Sequence, residues 1–287
     1  MLNARTRSLA AATVTALLAG ATPAAVAQAD HTSYGLTVAA FGWHDGHQEQ
    51  ALGAIVQLAP TPWLTLGAIP TLLRITGADG RPANSGLTDL PVFAGVVHGF
   101  SAPWQPTLGV AGVASLPTGD ASQGLGRGQS LMSAEGTLAL SPLAMLTIRA
   151  GVSRLLRVGD SLPHGIATTA LVGDAVLLAG ARMNLSVGYA LELRGDAPAA
   201  YEPARAINAT VVRTLFGQTA LSLSAGRTLR GAGPTWSFSL GIGTAFAGLS
   251  PVGATSPSAR SSGGVTRPAD GGLLPIGNTS CRLIGGC

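Results

Sequence analysis

The sequence contains no lysine, and its only two cysteines, Cys281 and Cys287, lie near the C-terminal end. The missing lysine excludes a Walker-type phosphate loop, because that loop needs a lysine after its last glycine to reach the phosphates. The glycine-rich stretch at residues 115–130, SLPTGDASQGLGRGQS, is therefore not a Walker loop. It is not a dinucleotide-binding loop either, since the segment that follows it alternates every second residue and lacks helical periodicity.

Charge is scarce as well. Charged residues make up 10% of the chain and hydrophobic residues 46%, whereas an ordinary soluble domain carries about 25% charged residues. The formal net charge is +4, and no basic cluster is interleaved with aromatic side chains. The composition therefore predicts no nucleic-acid partner and indicates a chain that is more apolar than a typical water-soluble protein.

Long apolar runs are missing beyond the N-terminal segment. Arg, Asp, Gly or Pro interrupts every candidate run before it reaches about 18 residues, the length that a membrane helix needs. The N-terminal segment itself has Arg5 and Arg7, then an apolar run broken by Pro23, then small residues. This is the layout of a secretory signal peptide. We expect a signal peptide at residues 1–29 with cleavage after Ala27 or Ala29, rather than a retained membrane anchor.

In the mature chain, apolar residues instead alternate with small or polar residues, with a period of two. The segment at 185–194, LSVGYALELR, places large apolar residues on one face and mainly small or polar residues on the other. The segment at 235–246, TWSFSLGIGTAF, has the same pattern, and its apolar face is predicted to include Phe246. This alternation is typical of β-strands with one apolar face.

About twelve segments of this kind follow one another along the chain, with turn signals between them. They lie at residues 33–43, 50–59, 64–76, 87–100, 107–118, 130–140, 146–158, 166–178, 185–195, 208–216, 219–229 and 234–246. Short connections alternate with connections that are mostly longer and more polar. This pattern predicts an all-β protein, a transmembrane antiparallel β-barrel of about twelve strands over residues 30–248. A secreted β-sandwich, whose apolar face would form a core, is the alternative.

The aromatic residues agree with a barrel, because they fall at the ends of the predicted strands. Trp63, Phe100, Trp104 and Phe216 are next to short turns, and Trp43 and Trp236 are next to long loops. Two aromatic girdles at the membrane surfaces would have this distribution.

The alternation stops after about residue 248, and residues 249–287 are rich in Gly, Ser and Pro. Such a composition predicts a disordered tail. An exported chain can oxidise Cys281 and Cys287 to a disulfide. Five residues between the cysteines and no histidine in the tail make a zinc site the weaker interpretation.

Two motifs on neighbouring predicted strands carry a family resemblance. LPTGD followed by GLGRG, together with the upstream SGLTDLPVFAGVVHGF, resembles the outer-membrane barrel transporters of the phenol-degradation MetA pathway type. The motifs cover residues 85–131. The resemblance implies a barrel on the scale of twelve strands in a bacterial outer membrane, passage of small hydrophobic or aromatic compounds, and no catalytic residues.

The stretch that carries this resemblance is predicted to form a shaped loop at the barrel mouth. Proline and glycine end the preceding strand, the Thr and Asp side chains bond to nearby backbone N–H groups, and further glycines permit positive φ or a loop folded back on the barrel. The candidate loop residues are Pro117, Thr118, Gly119, Asp120, Gly124 and Arg127.

Small and polar residues on the second face of each strand are predicted to line the lumen, which tolerates charges that lipid rejects. The candidates for lumen positions are Asp89, Glu135, Arg149, Asp174, Glu192 and Arg194. These residues either line a pore or pair across it as a plug, and the sequence leaves the two alternatives open.

Histidines supply the signals for an enzyme. His44, Asp45 and His47 lie in the first long loop and are similar to an acid–histidine pair, and His164 with a neighbouring serine is similar to a lipid deacylase site. His98 lies near a short turn at the opposite end, so no three-residue catalytic arrangement forms. We therefore predict a protein that is not an enzyme and has neither a cofactor nor a metal site.

The predicted function is an outer-membrane channel or uptake barrel for small hydrophobic or aromatic solutes, by passive diffusion through the lumen. The alternatives are an architectural or adhesin-like surface barrel without transport and an outer-membrane hydrolase. The expected partners are outer-membrane lipid, small solutes and the barrel-assembly machinery.

Overall fold

The computed structural model describes residues 32–61, 63–76, 83–158, 169–193, 203–231 and 233–249. Several sequence predictions lie outside the described residues: the signal peptide at 1–29, nearly all of the tail after residue 248, the cysteine pair Cys281 and Cys287, and the side chains of His164 and Arg194.

The described residues form fourteen β-strands and two short 3-10 helices, at Ala121–Gln123 and Thr244–Leu249. No helix in this part of the chain is both long and apolar enough to cross a membrane. The strands are β1 Thr32–Gly42, β2 Gln48–Thr61, β3 Leu64–Ala68, β4 Thr71–Thr76, β5 Asn84–Leu87, β6 Leu90–Gly99, β7 Thr107–Leu116, β8 Leu131–Leu143, β9 Leu146–Val158, β10 Thr169–Leu178, β11 Met183–Leu193, β12 Arg205–Phe216, β13 Thr219–Arg230 and β14 Trp236–Gly243.

β3 and β4 are the two halves of one longer wall strand, and β5 and β6 are the two halves of another. β3 and β4 are separated by Ile69 and Pro70, and both pair with β2. β5 and β6 are separated by Thr88 and Asp89, and they pair with β4 and β3 respectively. Proline cannot donate to a ladder, but the Pro70 carbonyl still accepts from Ala54 N at 3.0 Å. The wall therefore consists of twelve strands, and the predicted number is confirmed.

The sheet closes on itself. Each strand is antiparallel to the next, and β14 returns to pair with β1 from Gly35↔Gly243 to Gly42↔Trp236, while β1 also pairs with β2. Closure removes the two free edges that an open sheet would have, although the short β5 pairs with β4 alone among the described strands. The predicted twelve-stranded antiparallel barrel is confirmed, and closure excludes the β-sandwich alternative.

The outer face of the wall is apolar. On β13, Leu223 is 41% exposed whereas its neighbour Ser222 is buried, and the same alternation gives large exposed side chains on other strands, such as Val187 on β11 and Leu240 on β14. Because consecutive side chains of a strand point to opposite faces, these residues form a continuous apolar outer surface. The predicted apolar face is therefore the lipid-facing side of the barrel.

The connections define two ends, which we call the inner end and the outer end. The inner end has the short turns, as at Gly217, and the outer end has the long loop between β7 and β8. In outer-membrane barrels the short turns face the periplasm. Exposed aromatic residues lie at the inner turns, namely Trp63, Phe100, Trp104 and Phe216.

The end of the barrel differs from the sequence prediction. The prediction continued the last strand to residue 246 and placed Phe246 on the lipid-facing side, but β14 ends at Gly243. Gly243 has φ +150°, and a Cβ there would lie 2.3 Å from the Tyr34 carbonyl oxygen. The chain bends at this glycine, and Phe246 is buried against Ile55, Val212 and Ala220 inside the barrel. A period of two in the sequence does not reveal that bend.

Candidate transport site in the barrel lumen

The inward-facing side chains form apolar clusters as well as polar positions. One cluster, which we call the lumen cluster, contains Phe93, Val113, Leu131 and Leu155. Phe93, Val113, Ser133 and Leu155 are consecutive partners across β6, β7, β8 and β9. On β7, Val113 is 3% exposed and Val110, which faces lipid, is 50% exposed. The outer half of the lumen thus has a buried apolar wall rather than a wholly polar one.

A second apolar cluster includes a residue from the loop between β7 and β8. Leu125 is buried with Phe41, Ala51 and Leu73, which come from β1, β2 and β4. Gly86 leaves room for this contact, because a Cβ at that position would lie 2.7 Å from the Leu125 Cδ1 atom. The loop is therefore folded over the wall at the outer end, with Leu125 inserted among inward-facing side chains.

Asp89 holds this loop in place. The residue lies at the break between β5 and β6 and is 2% exposed. Its Oδ1 atom accepts from the Gly119 backbone N at 3.0 Å, and its Oδ2 atom accepts from the Arg127 backbone N at 2.8 Å. The Thr118 hydroxyl donates to the Thr88 carbonyl at 2.9 Å. We call this arrangement the Asp89 latch, because it connects both ends of the loop to one buried carboxylate.

The latch requires glycine at two positions, because a side chain at either would collide with neighbouring atoms. A Cβ at Gly126 would lie 2.3 Å from the Asp89 Oδ1 atom. A Cβ at Gly119 would lie 2.4 Å from the Leu125 carbonyl oxygen. Side chains at these positions would push the loop off the carboxylate. The LPTGD, GLGRG and TDLP motifs thus meet in space, although the sequence separates them by about thirty residues.

The tip of the loop has its own internal structure. Asp120 caps the 3-10 helix and accepts from the Ser122 N and Oγ atoms at 2.9 and 2.6 Å and from the Gln123 Nε2 atom at 2.9 Å. Hydrogen bonding from Ser122 lowers the pKa of the Asp120 carboxyl, which is therefore ionised at neutral pH. Gly124 ends the helix with φ +75°.

Arg127 and Pro117 complete the predicted loop residues. Burial lowers the pKa of the Arg127 guanidinium, and nearby Asp89 acts in the opposite direction. Pro117 is exposed next to the end of β7. The structure brings Thr118, Gly119 and Arg127 to the latch, whereas Asp120 and Gly124 shape the tip.

The charged lumen candidates do not form one group. Arg149 on β9 and Asp174 on β10 are paired in register and form an ion pair in which the Arg149 Nε atom donates to Asp174 at 2.9 Å. Glu192 is buried, and its Oε2 atom accepts from the Ala204 backbone N at 2.8 Å. Asp89 is in the latch rather than on the open wall. Their roles in permeation stay predictions.

Glu135 and Glu192 lie on one row of the wall. Glu135 is opposite Ser153, Ser153 is opposite Ala170, and Ala170 is opposite Glu192. Ser153 and Ala170 between the two acids are small and buried. A third carboxylate, Glu49 on β2, which the sequence analysis did not predict, is also buried on the inward side.

The histidine loop at 43–47 forms contacts at the outer end of the barrel. The His47 ring stacks on Trp43 with a centroid distance of 5.1 Å, its Nδ1 atom lies 2.5 Å from the Asp45 carboxylate, and its Nε2 atom lies 3.4 Å from Glu49. Burial acts to raise the pKa of the Asp45 carboxyl, but the His47 hydrogen bonds lower it overall. Among the described residues, the polar contacts of the His47 ring are with the carboxylates of Asp45 and Glu49 rather than with a hydroxyl nucleophile, which favours a structural role.

Sequence reasoning missed Leu125 and Phe246, the two residues that turn back into the barrel. For Leu125, the signal was present in the glycines around it, because a large apolar residue among small ones in an exposed loop indicates an insertion. For Phe246, the glycines at 35 and 241 are the corresponding signal, since a Cβ at either would lie 2.6 Å from its ring.

The closed barrel, its apolar belt and its long outer loops define the class of the chain, a bacterial outer-membrane β-barrel. No protein-family model matches the sequence, and no curated protein matches it significantly.

Solved structures share the fold. The chain is similar to the COG4313 outer membrane channel from Pseudomonas putida F1, with a TM-score of 0.57 and 14% identity over 74% of this chain and 94% of that one. It is also similar to the KdgM porin in complex with disordered oligogalacturonate, with a TM-score of 0.50 and 9% identity over 74% of this chain and 97% of the porin. At these identities the likeness establishes only that the chain shares the barrel fold of these two proteins.

Proposed function

We propose that the protein is an outer-membrane channel that takes up small hydrophobic or aromatic solutes by passive diffusion through the barrel. The observation that carries the proposal is the apolar lumen cluster of Phe93, Val113, Leu131 and Leu155. Channels for hydrophilic solutes have a polar, water-filled interior. An apolar interior, whose side chains pack against one another and are at most 7% exposed, instead favours an apolar solute that moves between them.

The free energy available from such a wall suits transient binding. An aromatic ring that buries about 150–250 Å² of surface gains about 4–6 kcal/mol at about 25 cal/mol per Å². Partial burial against one side of a lumen gives a smaller gain, so the solute can bind and leave. The inward serines Ser133 and Ser153 interrupt the apolar surface, which further limits how tightly an apolar solute is held.

The loop held by the Asp89 latch inserts Leu125 among Phe41, Ala51 and Leu73 at the outer end of the barrel, and in our proposal it controls entry. The LPTGD and GLGRG motifs form the loop, and the similarity to barrels of the phenol-degradation MetA pathway type supports a small aromatic solute. Export through the predicted signal peptide and insertion by the barrel-assembly machinery belong to the same proposal. The architectural or adhesin-like barrel is the rival, because it shares the fold but requires no solute path.

A change in the lumen wall tests the proposal against this rival. Val113→Ser makes the inner wall more polar, and Val110→Ser makes the same chemical change on the lipid-facing side of the same strand. Losing about one methylene of contact corresponds to about 0.8 kcal/mol, or about fourfold in rate. We expect intact cells that carry Val113→Ser to take up a neutral aromatic solute about fourfold more slowly, with no change for Val110→Ser.

The folding of both variants is checked first by gel electrophoresis, in which a folded barrel migrates differently in unheated and in boiled samples. Equal uptake by cells with Val113→Ser, with Val110→Ser and with the unmodified protein would contradict a route along this wall. Intact cells are used because their outer leaflet slows apolar solutes, whereas a phospholipid bilayer alone passes them readily.

A further inference from the structure

The acidic residues of the described strands are confined to one face, whereas the arginines lie on both. The acidic residues of the strands, Glu49, Glu135, Asp174 and Glu192, all lie on inward positions. Four arginines near the outer ends of the strands lie instead on outward positions and are exposed, namely Arg74, Arg154, Arg205 and Arg227. Each of these arginines is next to a buried, inward residue; Thr228, for example, follows Arg227. The outer rim of the lipid-facing surface is therefore positively charged.

Strand β12 shows the level of these arginines in the membrane. Its outward face begins at Arg205, continues through Ile207 and Val211, and ends with exposed Arg213 near the inner turn. Eight residues span about 27 Å along a strand, or about 21 Å along the membrane normal at a tilt of about 40°. This is close to the apolar belt of about 25 Å in such barrels. Arg205 therefore lies at the outer membrane surface and Arg213 at the inner one.

Two aromatic residues beside Arg227 on the outward face support this level. Tyr189, Ile207, Arg227 and Trp236 are consecutive partners across β11, β12, β13 and β14, and all are exposed on the outward face. The Trp236 indole lies over Gly42, where a Cβ would be 2.2 Å from its Nε1 atom. Tyrosine and tryptophan concentrate where lipid headgroups meet the apolar region. Arg227 thus lies at headgroup depth.

Arg205 and Arg227 are close enough to act on one ligand. Arg227 is directly opposite Ile207, and Arg205, two residues before Ile207 on the same face, is opposite a third exposed arginine, Arg230, across a register shift in the ladder. Diagonal neighbours of this kind have Cα atoms about 7–8 Å apart, a gap that two long guanidinium side chains can bridge with a single anion between them. Guanidinium groups bind phosphate through paired hydrogen bonds, which a single point charge does not provide.

We propose that Arg205 and Arg227 form a binding site for the phosphate of a phosphorylated glycolipid in the outer leaflet of the membrane. The position of the two arginines and their charge together indicate a phosphorylated lipid as the ligand. The arginines provide the complementary charge, and the exposed apolar side chains of Ile207, Val211 and Val187 below them provide a surface for acyl chains. A free phosphate ion would use only the first of these features. The site is independent of solute passage, since it lies on the other side of the wall.

The experiment uses the purified full chain in detergent and counts bound lipid by native mass spectrometry. The probes are a lipid A that carries two phosphates, the same lipid after dephosphorylation, and inorganic phosphate. The variants are Arg205→Gln with Arg227→Gln, the matched control Arg213→Gln on the inner end of the same strand, and Arg205→Lys with Arg227→Lys.

We expect the double glutamine variant to bind phosphorylated lipid A at least about tenfold more weakly than the unmodified protein, Arg213→Gln to bind it equally, and the double lysine variant to be intermediate. Dephosphorylation should reproduce the tenfold loss in the unmodified protein. The proposal is overturned if dephosphorylation leaves binding unchanged, if Arg213→Gln weakens binding as much as the double variant, or if inorganic phosphate binds as tightly as the lipid.

Discussion

The Asp89 carboxylate accepts hydrogen bonds from the backbone N–H groups of Gly119, at 3.0 Å, and Arg127, at 2.8 Å. One buried side chain in the wall thus holds both ends of a loop that begins thirty residues later. A charged acceptor bonded to two backbone donors is among the stronger local interactions in a protein. The loop over the outer end of the lumen is therefore fixed to the wall and does not rest on it loosely.

Removing the latch should release the loop. We expect Asp89→Ala to increase trypsin cleavage after Arg127 by at least about tenfold, because hydrogen bonds to a charged group contribute about 1.5–3 kcal/mol each. The chain has no lysine, so every trypsin site is an arginine, and the cleaved bond can be identified by peptide mass. Cleavage reports the open fraction of a segment when opening is fast.

Asp120→Ala is the control for this measurement. Asp120 is exposed, and its side-chain oxygens accept hydrogen bonds from Ser122 and Gln123 within the loop. The substitution should loosen the tip but leave both ends attached, so cleavage after Arg127 should rise less than for Asp89→Ala. If the two variants were cleaved at the same rate, Asp89 would not be the residue that attaches the loop.

Neighbouring residues on β13 should respond oppositely to a charge. Leu223 faces lipid, whereas the hydroxyl of Ser224 faces inward and lies 2.9 Å from the Thr210 hydroxyl. An arginine near the midplane of the lipid face costs about 2–4 kcal/mol. Leu223→Arg should therefore reduce the folded, heat-modifiable fraction, and Ser224→Arg should leave a folded barrel with altered permeation. Equal assembly defects at both positions would reverse the assignment of the faces.

The turn of the chain after β14 should stabilise the inner end. Phe246 is buried against Ile55, Val212 and Ala220, whereas Phe216 at an inner turn is 70% exposed. We expect Phe246→Ala to lower the free energy of unfolding by about 3–5 kcal/mol, the usual effect of emptying a buried aromatic site. Phe216→Ala is the matched control and should have a smaller effect. Urea unfolding in detergent measures both, and equal losses would argue against the packing of Phe246.

The architecture could be predicted from the sequence because each strand repeats the same physical pattern. Alternation along segments such as 185–194 predicts one apolar face, and connections that are alternately short and long predict antiparallel neighbours. The predicted segments 64–76 and 87–100 run across the breaks at Pro70 and Asp89. The predicted number of strands therefore agrees with the number of wall strands. The fold depends on periodic features, and these are visible locally.

The lumen was less predictable because it depends on non-local contacts. Asp89 was predicted as an inward charge, but its partners Gly119 and Arg127 lie on another part of the chain, and alternation cannot identify them. Leu125 lies in a loop next to Gly124, and Phe246 follows the bend at Gly243. At such glycines the period of two no longer determines the direction of a side chain. Residues outside the regular strands therefore determine what fills the interior.

Uptake of a small neutral aromatic solute by intact cells, with and without the protein in the outer membrane, tests the central claim most directly. A small sugar of similar size serves as the polar comparison in the same cells. The apolar lumen cluster predicts that the protein accelerates entry of the aromatic solute, that the sugar gains less, and that excess of a second apolar solute slows aromatic entry. If cells with and without the folded barrel took up the aromatic solute at the same rate, the channel function would be contradicted and the architectural barrel would be the better account.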